Sequence, residues 1–251
     1  ARAQPRTDDL LSRWCSESDP TFMRFADVFH HRLLSVFYRA WANTQPAVHL
    51  DRPGTDRFAS YLGSLFGFCF PAQRGLDGVP DAARLAFAGL YGAQTRPVEG
   101  LERILSRYFD VPTRVETFVG QRVDIPEENQ WGLGAPEGTL GQGAVIGERV
   151  WVVDQKFRVV FGPMSYADYE RLLPGRESQK RLVGMVRSYV GHEFAWDVRL
   201  IVRKEEVSPL ALGRGGQLGW TSWAASARRQ EDPGDLVFDP TLEPAPSGAA
   251  S

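Results

Sequence analysis

The sequence predicts an α+β protein: a helical module with long Pro/Gly loops, then a mixed antiparallel β/helix module, then a disordered tail. Three observations support this prediction. Apolar residues in the first half recur every three or four positions, which is typical of helices. After residue 112 the pattern changes to β-branched and alternating segments. The end of the chain is rich in Pro, Gly, Ser and acid. We therefore predict a flexible lead-in over 1–18, a helical module over 19–112, an α+β module over 113–227 and a disordered tail over 228–251.

Composition bounds the class of protein. The 251 residues are 43% hydrophobic and 24% charged, which is ordinary for one large globular domain or two small ones. A net charge of −2 shows no global basic excess that would argue for nucleic acid. Cys15 and Cys69 do not form a disulfide framework, so a reducing, cytoplasmic setting is the simpler inference. No apolar run approaches the roughly 20 residues of a membrane helix.

The first predicted helix runs from Phe22 to Trp41, and the rest of the module is organised around it. At about 100° per residue its apolar positions form one broad stripe. They are Phe22, Phe25, Ala26, Phe29, Leu33, Val36, Phe37 and Ala40. Arg24, Arg32 and Arg39 fall on the opposite, basic face. Further apolar residues on a flank predict that this helix packs against more than one neighbour.

Two long loops separate the remaining helices of the module. The first loop spans 42–55, where Pro46 and Pro53 prevent continuation of the helix. Thr55 caps a second helix that stops at Gly67. The second loop spans 68–80, and further helices are predicted over 81–91 and from Pro97 to residue 109. Loops of this length inside a compact module are often functional.

The second half alternates strands with segregated helices. Strands are predicted over 114–123, 150–161 and 193–203, and the last alternates most cleanly. Ser165 with Asp168 resembles a capping box at the start of a short helix, and another helix is predicted over 179–190. Residues 132–143 read as a glycine-dense loop. No regular βαβ alternation is visible.

Catalytic and metal-binding patterns are weak. His30 and His31 point about 100° apart on one helix, so they cannot close on one ion together. We expect instead a structural polar contact between Asp27 and His30. The chain contains no GxSxG, HExxH or Gly-Lys phosphate loop, and we predict no catalytic, cofactor-binding or metal-binding residue.

Two alternatives remain beside a structural role. The first is a metal-dependent hydrolase that uses Asp27, His30 and distant groups. The second is a nucleic-acid-binding module that uses the arginine stripe at Arg24, Arg32 and Arg39. The simpler interpretation of this arginine stripe is a charged helix face that contacts solvent or a partner protein.

Several blocks of the sequence resemble a known family. They are FADVFHHRLLSVFYRAW, YLGSLFG, LYG, RPVEGLERILSRYFDVPTRVETFVG, LGQGAVIGERVWVVDQKFRVVFGPM, YERLLPG and LGWTSW, in that order between about residues 21 and 223. In this order and spacing they are similar to the type VI secretion baseplate subunit TssG, also called ImpH or VasB. The resemblance implies a further N-terminal part before the first block, and we expect the family's N-terminal part to be missing from the sequence given.

The resemblance implies a non-enzymatic scaffold without cofactors. TssG-like proteins form a wedge in which two TssF copies embrace one TssG. That wedge joins TssE and trimers of the adaptor TssK, which tether it to the membrane complex. The implied location is cytoplasmic, docked at the inner membrane through the secretion apparatus, with no direct membrane insertion and no nucleic acid partner.

The two loops and a tryptophan pair are the candidate partner contacts. The length and composition of the loops lead us to expect that they reach TssK. Their candidate residues are Pro46, His49, Pro53, Phe68, Phe70 and Pro71. Trp220 and Trp223 are expected to pack on TssF.

Overall fold

The structure is a computed structural model that describes residues 12, 20–130, 147–207, 217, 219–223 and 231–242. The chain divides after Ser64 into two compact units. The sequence predicted a boundary between modules at residue 112. In the structure the helices from residue 81 onward share one hydrophobic core with the strands that follow them, so residue 112 lies inside the second unit.

The first unit is helical. Helix α1 spans Thr21–Ala42, α2 spans Pro46–Leu50 and α3 spans Arg57–Ser64, with a 3-10 turn at Pro53–Thr55. The segment predicted as the first loop therefore contains a short separate helix, which the sequence did not predict. Pro46 occupies the first turn of α2, where its missing N–H is not needed. The Ala59 N–H donates to Oδ1 of Asp56 at 2.8 Å, so Asp56 rather than Thr55 caps α3.

Three helices open the second unit. After a 3-10 turn at Pro71–Gln73 come α4 at Asp81–Ala86, α5 at Ala88–Tyr91 and α6 at Val98–Phe109. The single helix predicted over 81–91 is broken at Phe87, whose φ of −106° and ψ of 17° are not helical. Helix α6 follows Pro97 as predicted and ends at Asp110 in the left-handed region, with φ at 57°.

Among the described residues, six strands and two further helices follow in the second unit. They are β1 at Thr113–Glu116, β2 at Gln121–Asp124, β3 at Arg149–Val152, β4 at Lys156–Met164, α7 at Tyr166–Leu172, α8 at Glu177–Val190, β5 at Ala195–Val202 and β6 at Leu236–Phe238, with 3-10 turns at Glu127–Asn129 and Lys204–Glu206. The strand predicted over 114–123 is interrupted near Phe118, which has a positive φ of 59°.

The strands form a four-stranded sheet and a two-stranded ribbon. The sheet order is β1-β4-β5-β6, and β2 pairs with β3. All pairs are antiparallel except β4 with β5, which are parallel because α7 and α8 carry the chain back across the sheet. The α+β class is confirmed, and the sheet is mixed rather than wholly antiparallel.

Helices α6 and α8 cover the sheet and build its core. Alternate residues of β5 are buried as predicted, from Trp196 to Val202, whereas Phe194 lies outside the strand and is exposed. Ile104 and Leu105 of α6 and Met185 of α8 are fully enclosed. The core therefore belongs to residues of the second unit.

The predicted disordered tail is corrected for the part that the structure describes. Leu236–Phe238 forms β6 and pairs with β5. Gln179 of α8 donates from Nε2 to the Pro240 carbonyl at 2.7 Å, so the segment is held at both ends. Composition alone misses this because the open edge of β5 supplies backbone partners from elsewhere in the chain. Residues 228–230 and 243–251 of the predicted tail and the glycine-dense loop over 132–143 lie outside the described residues.

Candidate partner-binding surfaces

Helix α1 carries an apolar surface that the described part of the chain leaves exposed. None of its residues is buried, although the helix is 22 residues and about 33 Å long. Phe37 is 73% exposed and Phe25 is 62% exposed. The large apolar side chains that remain exposed are Phe22, Met23, Phe25, Val28, Phe29, Leu33, Leu34, Val36, Phe37, Tyr38 and Trp41. We call this set the α1 surface, and its size is typical of a protein–protein interface rather than of a free surface.

Sequence reasoning found this helix but did not name its residues as a site. The signal was present, because apolar residues occur on more than one face of the helix. Phe25 and Phe29 pack edge to face with ring centroids 5.2 Å apart, and Tyr38 lies 5.6 Å from Trp41. These local contacts do not remove the rings from water, so the expected neighbours of α1 are not supplied within the described residues.

The first loop presents α2 and the turn that follows it. Pro46 is exposed at the start of α2, and Nε2 of His49 lies 3.1 Å from the Asn43 carbonyl oxygen, which ties α2 back to the end of α1. Pro53 opens the 3-10 turn. Leu50 is exposed at the end of α2. The loop is therefore an ordered turn of helix rather than an irregular connection.

The second loop is fixed at its base and open at its tip. Phe68 stacks on Phe66 with centroids 5.8 Å apart, and the Arg84 guanidinium lies 5.2 Å from the Phe68 ring centroid. Phe70 is 64% exposed at the tip, immediately before the 3-10 turn that begins at Pro71. The Phe70 N–H donates to Oε1 of Gln73 at 3.2 Å. This geometry presents one aromatic ring outward.

An ion pair holds this second loop on α8. Asp77 accepts from the buried Arg84 guanidinium, which also donates to Oγ of Ser188 at 3.3 Å. A β-carbon at Gly184 would meet Oδ2 of Asp77 at 2.6 Å, so only glycine leaves room for the carboxylate there. Sequence reasoning missed this anchor, because its parts are about a hundred residues apart and no local pattern marks them.

The tryptophan pair lies against the core of the second unit. Trp223 is only 9% exposed, and its ring centroid lies 5.6 Å from that of Tyr169. The Tyr169 hydroxyl donates to the Trp220 carbonyl at 2.5 Å, and Trp220 packs edge to face on Phe238. Trp220 keeps partial exposure, whereas Trp223 offers little surface to another protein. The contact of this pair with TssF stays a prediction.

A buried ion cluster crosslinks the two parallel strands. Arg158 of β4 donates to Asp197 of β5 from Nε at 2.6 Å and from Nη2 at 2.8 Å, and Nζ of Lys156 lies 2.9 Å from Oδ2 of Asp197. Burial alone would raise the pKa of Asp197, but the hydrogen bonds from Arg158 and Lys156 outweigh it and hold the pKa below its ordinary value. These charges are mutually satisfied, which indicates a structural role.

The catalytic and metal alternatives gain no support from the geometry. Asp27 and His30 are both exposed on α1, and within the part of the chain that the structure describes the predicted contact between them is not formed. Asp27 and His30 are about one helical turn apart, and both side chains are exposed to water. Among the described residues, no three His, Cys, Asp or Glu side chains lie close enough to hold a metal ion. Cys69 is a free thiol, and Cys15 lies outside the described residues.

A long helix whose apolar side chains stay exposed among the described residues is typical of the class of proteins that work by binding other proteins. Comparison with known proteins gives the family. A sequence model described as "Type VI secretion, TssG" matches residues 5–225. The chain belongs to the TssG family of type VI secretion, and its role is structural rather than enzymatic.

Two solved structures share the fold. One is the type VI secretion system TssK-TssF-TssG baseplate subcomplex from cryo-electron microscopy, with 18% identity, a TM-score of 0.70, and coverage of 89% of this chain and 95% of the matched chain. The other is the baseplate complex from the type VI secretion system, with 20% identity, a TM-score of 0.63, and coverage of 92% of this chain and 67% of the matched chain. No curated protein matched in sequence.

No described helix is both long enough and apolar enough to cross a membrane.

Proposed function

We propose that this chain is a structural subunit of a type VI secretion baseplate, where its α1 surface is buried against TssF and its two loops contact TssK. Family membership supports the structural role. The fold shared with chains of the TssK-TssF-TssG subcomplex supports the choice of partners. The observation that carries the proposal is the unburied apolar helix α1.

The size and shape of α1 favour a long helical partner surface. A helix of about 33 Å with apolar side chains on more than one face buries them best between two other elements. Each large side chain removed from water contributes about 1.5–3 kcal/mol, so several of them suffice to hold a stable complex. This agrees with a subunit embraced by two copies of TssF, which we propose as the arrangement around α1.

The loops suit a second partner at a different surface. Phe70 projects from a loop whose base is fixed by Asp77 and Arg84, so its ring is presented without a large ordering cost on binding. Leu50 is similarly exposed at the end of α2. We assign these two tips to TssK. We further propose contact with TssE and a cytoplasmic position at the inner membrane, both on the strength of the family resemblance.

Charge insertion on α1 tests the proposal. Phe29→Glu with Leu33→Glu places two carboxylates on the α1 surface and should lower copurification with TssF at least about tenfold. Arg103→Glu with Arg107→Glu adds the same number of carboxylates to exposed positions of α6 and should leave TssF binding within about twofold. Circular dichroism checks the fold of both. Normal TssF binding by the first variant would refute the assignment of α1.

A further inference from the structure

A groove runs along the exposed face of α8 in the second unit, beside the end of the second loop. It has a volume of about 920 Å³, within the range of protein binding sites. One wall is the end of the second loop, at Leu76, and the opposite wall is the segment after β6, at Leu242. The exposed face of α8, which includes Val183, also lines the groove.

The groove combines free positive charge with apolar walls. Arg176, Lys180 and Arg187 line it, and no described acidic side chain lies within ion-pair distance of any of them. The two acids that also line the groove are already paired, Glu177 with Arg181 and Asp77 with Arg84. The formal charge left over is therefore positive.

Position along the helix gives the pattern that a partner must match. Lys180 and Arg187 are seven residues apart, which places them on the same side of α8 with about 10 Å between them. Leu76 is 76% exposed and Leu242 is 67% exposed, so each wall offers an apolar side chain to an occupant. A purely polar polyanion would leave both leucines in water.

We propose that this groove binds an acidic segment of a partner subunit, with an apolar side chain seated between Leu76 and Leu242 and carboxylates facing Lys180 and Arg187. The partner carboxylates supply the charge that the described residues lack, and the apolar anchor covers the leucines. Charge of this kind mainly sets specificity and the rate of encounter, while the buried anchor contributes most of the affinity. The inference rests on the proposed function, since it assumes assembly with other subunits.

Crosslinking in the assembled complex tests it. The full chain is coexpressed and purified with TssF and TssK, carrying the photoreactive replacement Leu76→benzoylphenylalanine, and crosslinked peptides are identified by mass spectrometry. We expect a partner peptide with more Asp and Glu than Lys and Arg and with at least one large apolar residue. The same result is expected from Leu242→benzoylphenylalanine on the opposite wall.

Charge reversal with a matched control completes the test. Lys180→Glu with Arg187→Glu should lower the crosslink yield at least about tenfold. Arg103→Glu with Arg107→Glu reverses two exposed arginines on α6 and should leave the yield within about twofold. Thermal melting of both variants checks that the fold is kept.

The outcomes separate two failures. If neither TssF nor TssK copurifies with the chain, the proposed function fails and the inference fails with it. If the complex forms, the inference alone is overturned by no crosslink, by a neutral or basic peptide, by residues 243–251 of this chain or by bound nucleic acid. Equal losses in both charge-reversal variants would overturn it as well.

Discussion

A β-carbon on Gly184 would lie 2.6 Å from Oδ2 of Asp77, so the Asp77 carboxylate rests directly on the bare backbone of α8. This contact fixes the base of the loop that carries Phe70. It also explains why a glycine is tolerated within a 14-residue helix, where alanine would otherwise be preferred.

Gly184→Ala should destabilise the second unit despite the better helix propensity of alanine. The added methyl group forces Asp77 away from Arg84 and should cost about 1–3 kcal/mol. Gly89→Ala is the control, because a β-carbon at Gly89 meets no atom within 4 Å. The free energies of unfolding of both variants are measured by urea denaturation. A Gly184→Ala variant as stable as the parent would contradict the packing described here.

Asp197→Asn should weaken the link between β4 and β5 by about 3 kcal/mol at pH 7, because it leaves Arg158 and Lys156 without their partner. Asp124→Asn removes an exposed pair with Arg149 and should cost less than about 1 kcal/mol. The folded pKa of Asp197 is lowered, so its stabilisation is present above its unfolded pKa near 3.8 and is lost as the pH falls through the folded value. The free energy of unfolding is measured by denaturation at pH 7 and below pH 3.8. The difference in this free energy between the parent and Asp197→Asn should be smaller at the lower pH.

Tyr91→Phe should leave stability at pH 7 unchanged or slightly raised. The Tyr91 hydroxyl is buried without a hydrogen-bond partner among the described residues, so its removal deletes an unsatisfied group. Tyr189→Phe is the control and should cost about 1 kcal/mol, because the Tyr189 hydroxyl donates to the Pro97 carbonyl at 2.9 Å.

Alkaline titration gives a second readout for the same residue. Burial raises the pKa of Tyr91 to about 12 from 10.0. The unfolded chain loses this proton first, so the Tyr91 contribution to stability falls as the pH rises from 10 towards 12. The parent should lose more stability than Tyr91→Phe over that range. Parallel curves for the two proteins would show that Tyr91 is not held neutral by burial.

Phe70→Asp should lower TssK binding at least about tenfold without changing the melting temperature, since the ring is exposed in the free chain and is assigned to the interface. Phe118→Asp alters another exposed phenylalanine and should bind TssK normally. Pull-down with purified TssK measures both, and TssF binding serves as the internal standard. Equal losses from both substitutions would point to a general effect of surface charge.

Trp223→Ala should act on the fold before it acts on any partner. Truncation of this buried ring should cost about 3–5 kcal/mol of stability, measured by denaturation of the chain alone. Trp220→Ala removes a partly exposed ring, so it should cost less and still weaken the complex with TssF. Unchanged TssF affinity in the Trp220→Ala protein would remove this pair from the interface.

The sequence predicts those helices and strands whose apolar residues recur with a clear period and whose flanking residues mark a start or an end. Helix α6 and strand β5 fall where their apolar spacing indicates, and Pro97 marks the start of α6. The predictions are wrong where the secondary structure of a segment depends on a contact with residues far away in the sequence. Residues 236–238 become a strand because β5 offers them an edge, and no property of that segment alone predicts this.

The partner surfaces could be predicted only in part. The pattern of α1 indicates that several of its faces must be covered, because hydrophobic residues extend around the helix. The anchor at Asp77 and Gly184 and the groove along α8 join residues that lie far apart in the chain, so only the folded structure brings them together. The same holds for Trp223, whose burial against Tyr169 is invisible in its local sequence.

The open apolar side of α1 has a consequence for how much of this protein a cell can tolerate. Copies in excess of their binding partners keep the apolar α1 surface exposed to water, and such copies aggregate or are degraded. Balanced synthesis of the neighbouring subunits therefore protects the cell as well as the machine, and an imbalance would appear first as insoluble or short-lived chain.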